Sequence, residues 1–558
     1  RLKRVDNMFE EIEITIEKKK KQISRGTTLL QLSKEYQKKF RFPILLARVN
    51  NTYRELDYQI STPCEIEFLD LNSRPGNRTH IAGLTFLLLV AVKELYGENA
   101  NIIVQHSLDK GIYIETTFPI SETLTKSIAK KMVSLVEKDL AITKINIERI
   151  CAIRYFESIK DYAKANIMKY NTNTFITLYR IGNYYNYFYQ YMPTSTGLLK
   201  DFKLTYLNDN GFVLQFPTVY SGNKITEYKH HPHMFQVFKE CKEWTKLMRI
   251  ENVADLNRVV SEGKIDDLIR MDETLQSNRL LNVARKIVEK KKEKKIILLA
   301  GPSSSGKTTT TTKLCMYLKS FGLNPKMISM DDYFVERTET PLNKKGEPDY
   351  ESFDAVDHTL MNEQIQKLLN HEEVIAPVYN FIAGEKEFVK HIKLEENDIL
   401  LIEGIHALNP KVLDNIPAKS KFKIYLSALT ELNIDYHNRF STTDNRLLRR
   451  IIRDNRTRGY NVEETLKVWP NVRWGEEKNI FPYQDEADVT INTALIYELG
   501  VLKTYVEPLL YSVDEDSIYY EEAKRLLNLF RLILPIPSEA IPSDSILREF
   551  IGGSCYHS

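Results

Sequence analysis

Five cysteines, Cys64, Cys151, Cys241, Cys315 and Cys555, stand singly, and no Cys-x-x-Cys pair occurs in the 558 residues. That absence excludes cysteine-paired zinc and a disulfide framework, and it predicts reduced thiols in a cytoplasmic protein. Long hydrophobic runs are missing too. The most apolar one, Ile81 to Val92, falls short of the ~20 residues of a membrane helix and leads into Lys93 and Glu94, so it predicts a buried helix and no membrane partner. The opening residues hold no apolar stretch of signal length. Charge of one sign is not in excess: 78 basic against 75 acidic residues leave +3, so bulk charge demands no polyanionic partner. No internal repeat or long low-complexity tract stands out. With 42% hydrophobic and 27% charged residues the composition is that of a globular protein, and the length predicts about three or four domains.

What is present changes character along the chain. From Glu11 to about Leu71 "EIEITIE", "ILLARVN" and "CEIEFLDL" read as strands and "TTLLQLSKEY" as a helix. The lysines 18–21 fall at the expected hairpin turn, where they are either a solvated turn or an RNA-phosphate contact. From Arg78 to Pro217, helical patterns such as "SETLTKSIAKKMVSLVEKDL" mix with short strands. The tyrosine-rich "YRIGNYYNYFYQYM" reads as sheet packing more readily than as base stacking, because no Lys or Arg is interleaved between Tyr184 and Met192. Thr226 to Val288 reads as a helical connector, and its "HHPHM" at His230 to Met234 as a loop whose neighbouring histidines cannot easily all face one metal. From Lys294 onward buried strands and helices alternate, the mark of a parallel α/β sheet. "KIILLA", "PKMISM", "DILLIEG", "FKIYLS" and "ADVTIN" are its expected strands.

Directly after the first of these comes "GPSSSGKTT", in which Gly301, Gly306, Lys307 and Thr308 spell G-x-x-x-x-G-K-T between a strand and a helix. Glycines and the small Ser303, Ser304 and Ser305 let backbone N–H groups turn inward around phosphate oxygens, and the helix opening at Lys307, Thr308 and Thr309 adds its positive end. Lys307 can reach terminal phosphates, and the Thr308 hydroxyl can take a magnesium position, so ATP and Mg2+ are the expected cofactors. Glu403, at the end of "DILLIEG", is either a metal-linked acid or a strand-end cap. Asp331 and Asp332 in "ISMDDYF" lie at a strand's C-terminal end, one a candidate base and the other a loop cap. Arg446, Arg449, Arg450 and Arg453 share one helix face, either as a cationic lid over a triphosphate or as a surface paired with Asp444 and Asp454.

Taken together, "GPSSSGKTT", "SMDDYF", "PVYNF", "LIEGIHAL", "RRIIRDNRTRG" and "ADVTIN" resemble, in order, the motifs of the uridine kinase and phosphoribulokinase family of P-loop kinases over about Lys294 to Leu510. The resemblance implies Asp331 as catalytic base, Glu403 as metal-linked acid, Glu351 holding ribose hydroxyls, Tyr379 lining the nucleoside pocket, and Arg450, Arg453 and Arg458 as lid and phosphate arginines. Gly384 and Tyr460 depart from the uridine-cytidine kinases, which carry a histidine and an arginine there. Glu11 to Leu71 resembles a TGS domain, and Arg78 to about Pro217 the second additional domain of threonyl-tRNA synthetases, with only His80, Pro193 and Gly197 where metal ligands are expected. The implied fold class is multidomain, α/β and α+β: a β-grasp-like TGS module (1–72), a synthetase-editing-like α+β domain (73–225), a helical connector (226–290), a P-loop nucleoside kinase with a parallel sheet flanked by helices (291–535), and a tail (536–558). The expected function is an ATP- and Mg-dependent nucleoside kinase with possible RNA contact through the front modules. Its rivals are a kinase of another small hydroxyl compound and a tRNA-binding or nucleotide-sensing regulator.

Overall fold

The computed structural model describes residues 11–343, 346–380 and 383–556. The first ten residues of the expected front module, Phe381 of "PVYNF", and His557 and Ser558 lie outside the described residues.

Alternation in "EIEITI" sends Ile12, Ile14 and Ile16 into a small core. Their strand, Glu11–Ile16, is second in a five-stranded sheet ordered Lys19–Ser24, Glu11–Ile16, Glu65–Leu69, Leu46–Val49, Thr52–Arg54. The helix Leu29–Tyr36 starts at a Thr28/Gln31 capping box. Lys18 occupies the turn with φ of 66°, while Lys19–Lys21 continue into the second strand, where Lys20 pairs with Glu13.

The apolar run belongs to a longer helix than its own length suggests. Arg74–Tyr96 has 23 residues, is apolar and long enough to cross a membrane by length and composition, and has 78% of its most apolar window buried inside the protein. Ser73 caps it, and Gly76 allows the chain to close under Asp70, whose carbonyl would lie 2.0 Å from an added Cβ. It packs with the helix Glu122–Glu137 and with the sheet of Ile102–Leu108, Gly111–Thr116, Gly211–Gln215 and Lys203–Asn208. The tyrosines packed against the sheets and helices include Tyr184, Tyr185 and Tyr187, and the Tyr189 hydroxyl is buried.

The expected connector supplies helices Pro232–Met248, Val253–Ser261 and Ile265–Glu289. The last is not a spacer. Its Leu280, Val283, Ala284 and Ile287 share a core with Ile297, Leu299, Ile424 and Leu426, so it covers one face of the kinase sheet. That sheet runs Asn324–Ser329, Asp398–Glu403, Ile296–Ala300, Lys421–Ser427, Val489–Asn492, all neighbours parallel. These are the five strands expected from the sequence. Ile296, Leu298 and Ala300 point into the opposite core from Ile297 and Leu299, which is why the strand reads as one unbroken apolar run. A hairpin that the sequence did not announce, Val374–Asn380 with Glu385–Ile392, stands beside the sheet. The segment from Ile536 to Ile551 packs its Ile541, Ile546, Leu547 and Phe550 into the same core as the helix Thr442–Arg458.

Front and kinase halves meet over buried charge. Lys164, fully buried, donates to Asn186 Oδ1, lies 2.8 Å from His437 Nδ1 and 3.4 Å from Asp435 Oδ1. Burial and the Lys164 charge hold His437 well below the ordinary histidine pKa, so its Nδ1 accepts. Lys164→Met removes the cation facing Asp435 and should lower stability by about 3–5 kcal/mol, the cost of leaving a buried charge uncompensated. Urea unfolding measures this; a loss below about 1 kcal/mol would contradict it.

Candidate active site

The G-x-x-x-x-G-K-T loop leaves the central strand Ile296–Ala300 and turns into the helix Lys307–Ser320. Gly301 must be glycine, since an added Cβ would stand 2.6 Å from Ser305 Oγ and 2.8 Å from the Leu426 carbonyl. Ser304 and Gly306 hold φ of 60° and 82°, the left-handed turns that point amides inward. Lys307 Nζ donates back to the Gly301 carbonyl at 3.0 Å, which stretches its side chain along the loop. Thr308 is exposed at the mouth, and Thr309, Thr310 and Thr311 are buried where the helix packs.

The arginine face divides into two jobs. Arg446 and Arg449 are buried beneath the loop and form no lid. Arg446 donates to the Ser303 carbonyl at 3.0 Å and pairs with Glu476 through Nη2–Oε2 at 2.8 Å, while Glu476 Oε1 accepts from the Ser303 N–H at 3.2 Å. Arg449 pairs with Glu498 and donates to the Thr493 carbonyl at 2.9 Å, and the Thr493 hydroxyl donates to the Ser305 carbonyl at 2.6 Å. The second group, Arg450, Arg453 and Arg458, gathers around buried Asp454: Arg450 Nε at 3.0 Å, Arg453 Nη2 at 3.0 Å, Arg458 Nη1 at 3.4 Å. Arg450 also donates to Ser303 Oγ at 2.9 Å. One carboxylate for three guanidiniums leaves two positive charges in excess at the loop.

Facing the loop, the ends of the adjacent strands present acids. Ser329 and Glu403 are register partners, and the Ser329 hydroxyl donates to Glu403 Oε1 at 2.7 Å. Burial, then the neighbouring Asp331 charge, pushes Glu403 up to about 7. Asp331, although exposed at the surface, is also raised by loss of water around its carboxyl, with Lys307, Arg458 and Arg453 opposing. The aspartate pair is resolved by direction: Asp332 accepts from the Tyr379 N–H at 3.5 Å and ties down the hairpin, whereas Asp331 faces the charges of the loop. On the acceptor side Glu351 is pushed up to about 7 by burial, with Arg450 opposing. The helix Val462–Asn479 comes against it at Gly475, where a Cβ would meet Glu351 Cβ at 2.3 Å. Tyr379 is buried with its ring 5.7 Å from that of Phe334. Gly384 lies against Arg337, whose Nε would be 2.8 Å from an added Cβ. The donor set of hydroxyl, carboxylates and inward amides fits a metal-bound triphosphate.

Three functional positions escaped the sequence reading. Glu476 and Glu498 fix the loop from a distance of more than 170 residues, which no local pattern reveals. Asp454 was visible as a neighbour of the arginines by helical spacing, yet it reads from sequence as a surface partner. In the front half, both His80 ring nitrogens are buried without a hydrogen-bond partner, and burial lowers His80 to about 4. His231 pairs with Asp485 at the connector, and no cluster of three His, Cys, Asp or Glu able to hold a metal occurs among the described residues. A cavity of about 360 Å³ between the halves, lined by Glu115, Cys241, Lys242, Glu431 and Asp435, includes no residue of the phosphate loop.

Residues 296–496 match the model of the Phosphoribulokinase / Uridine kinase family. This region is a domain of that family. The uridine kinase of Anoxybacillus flavithermus is 28% identical over 166 residues, 30% of this chain and 71% of the relative. The threonine–tRNA ligase of Azoarcus sp. is 31% identical over 166 residues in the N-terminal region, 29% of this chain but 26% of the ligase, so the chain spans about a quarter of that relative. A structure from Bacillus stearothermophilus described as "a Possible Uridine Kinase" covers 38% of this chain and 98% of its own, at 18% identity and a TM-score of 0.27. The kinase domain is a phosphotransferase with a hydroxyl acceptor, a nucleoside or other small molecule, and its family uses ATP with a divalent metal.

Glu351 and Glu403 link the site to pH. Each has a folded pKa of about 7, above the ordinary glutamate value, so the stability they contribute is present below about pH 4.5 and is lost as pH rises through about 7. The nucleotide-free protein should therefore gain unfolding midpoint between pH 8 and pH 6, and the Glu351→Gln/Glu403→Gln double variant should gain less. Equal slopes in thermal melts would contradict the raised values.

Proposed function

We propose that this protein is an ATP- and magnesium-dependent nucleoside kinase that transfers the γ-phosphate to a nucleoside 5′-hydroxyl, with uridine and cytidine the first candidates. The observation that carries the reading is the apposition of the Lys307 loop and the acids Asp331 and Glu403 at the C-terminal ends of adjacent parallel strands, where open α/β sheets bind ligands.

The amides of Ser304, Gly306, Lys307 and Thr308, at the loop's end and the start of the helix, hold the triphosphate, and Lys307 follows the terminal phosphate. The Thr308 hydroxyl, with Glu403 behind it, would hold magnesium, which would supply charge neutralisation to the bound phosphates. Asp331 accepts or orients the acceptor's hydroxyl proton, and its upward shift brings it nearer to working pH than a free aspartate. Arg450, Arg453 and Arg458 offset charge spreading over the transferred group, oriented by Asp454. Glu351 accepts from ribose hydroxyls, and Tyr379 with Phe334 forms an aromatic wall for the base. The front modules take no part in transfer and serve as a binding or regulatory scaffold.

A screen of purine and pyrimidine nucleosides for magnesium-dependent phosphorylation tests the substrate class; phosphorylation of a sugar phosphate or another alcohol, with none of any nucleoside, would replace it. Asp331→Asn should retain ATP binding and lose about 10² or more in kcat, the usual scale of general acid–base help. Undiminished kcat would remove Asp331 from its role. Asp454→Ala should act through the arginines: kcat down about tenfold or more with the acceptor's KM nearly unchanged, whereas Asp454→Asn should retain part of the activity. A change in KM alone would contradict a positioning role.

A further inference from the structure

The segment after the kinase core returns to the phosphate loop and places a carboxylate on it. Ile546 lies against the loop, its Cγ2 2.6 Å from where a Cβ on Gly306 would stand. One turn on, in the short helix Arg548–Ile551, Glu549 Oε2 accepts from the N–H of Thr309 at 3.1 Å. That amide belongs to the first turn of the helix Lys307–Ser320, whose N–H groups have no intrahelical acceptor and whose dipole favours an anion. The segment is clasped from several sides. Arg456 donates to the carbonyls of Phe550 at 3.1 Å and Glu549 at 2.9 Å; Lys313 pairs with Asp544 at 2.9 Å; the Arg449 guanidinium lies 4.9 Å from the centre of the Phe550 ring.

We propose that the segment Ser545–Gly552 is an internal competitor of the donor nucleotide: the Glu549 carboxylate stands in for a phosphate oxygen on the Thr309 amide, and the triphosphate binds only when the segment lifts away. The proposal rests on the nucleotide site described above. Arg456 lies on the helix that also carries Arg450 and Arg453, so the clasp on the segment and those arginines share one support. The docked and released forms are two states, and apparent donor affinity is reduced by the fraction released.

The test is calorimetric titration of Mg-ATP into the full chain, its Glu549→Ala, Glu549→Gln and Arg456→Ala variants, and a Glu549→Ala/Lys307→Ala double variant, together with hydrogen exchange of the 545–552 amides in the unsubstituted protein with and without Mg-ATP. Glu549→Ala should bind about tenfold tighter, with Glu549→Gln and Arg456→Ala shifted the same way, and exchange of 545–552 should rise on adding Mg-ATP. Equal or weaker binding by Glu549→Ala, or lower exchange of that segment with nucleotide, overturns the competitor while leaving the nucleotide site standing. Absence of binding by every folded variant, or tight binding that survives loss of Lys307, overturns the nucleotide site and the competitor with it.

Discussion

Two ion pairs buried under the phosphate loop, Arg446 with Glu476 and Arg449 with Glu498, are the constraint on which the active site depends. A loop that turns its amides inward exposes its carbonyls on the other side, and buried carbonyls need donors. Ser303 and Ser305 have them: Arg446 serves the first, and Thr493, whose own carbonyl Arg449 holds, serves the second. Loop, lid helix and the turn after the last strand are thereby one rigid assembly. Buried pairs of this kind add little stability compared with apolar packing, but losing one partner leaves an uncompensated charge, so they hold geometry.

The same assembly sets the electrostatics. Cations surround the loop from one side, Asp331, Glu403 and Glu351 stand on the other, and loss of water around their carboxyls raises all three acids. Asp454 balances part of the arginine charge and fixes its direction.

The kinase sheet was legible because its strands are buried on both faces: "KIILLA" and "DILLIEG" leave no ambiguity of period, and the glycine loop marks the strand-to-helix turn. The front module was legible through strict alternation, as in Ile12, Ile14 and Ile16. What escaped depends on tertiary proximity. The hairpin Val374–Asn380 with Glu385–Ile392 is half-exposed, its second strand almost wholly so, and its pattern is therefore weak. Arg446 and Arg450 are one turn apart and chemically identical, yet one lies under the loop and the other beside it; only the position of Glu476, 30 residues from Arg446, separates their roles. The helix Ile265–Glu289 looked like a connector because its apolar face meets a sheet that comes later in the chain.

The most direct test of the central claim is a crystal structure with a non-hydrolysable ATP analogue, magnesium and uridine. The account predicts phosphates wrapped by the amides of Ser304, Gly306, Lys307 and Thr308, the terminal phosphate at Lys307, and an acceptor hydroxyl within hydrogen-bond reach of Asp331. A triphosphate bound elsewhere, or an acceptor whose hydroxyls are all beyond that carboxylate, would contradict it.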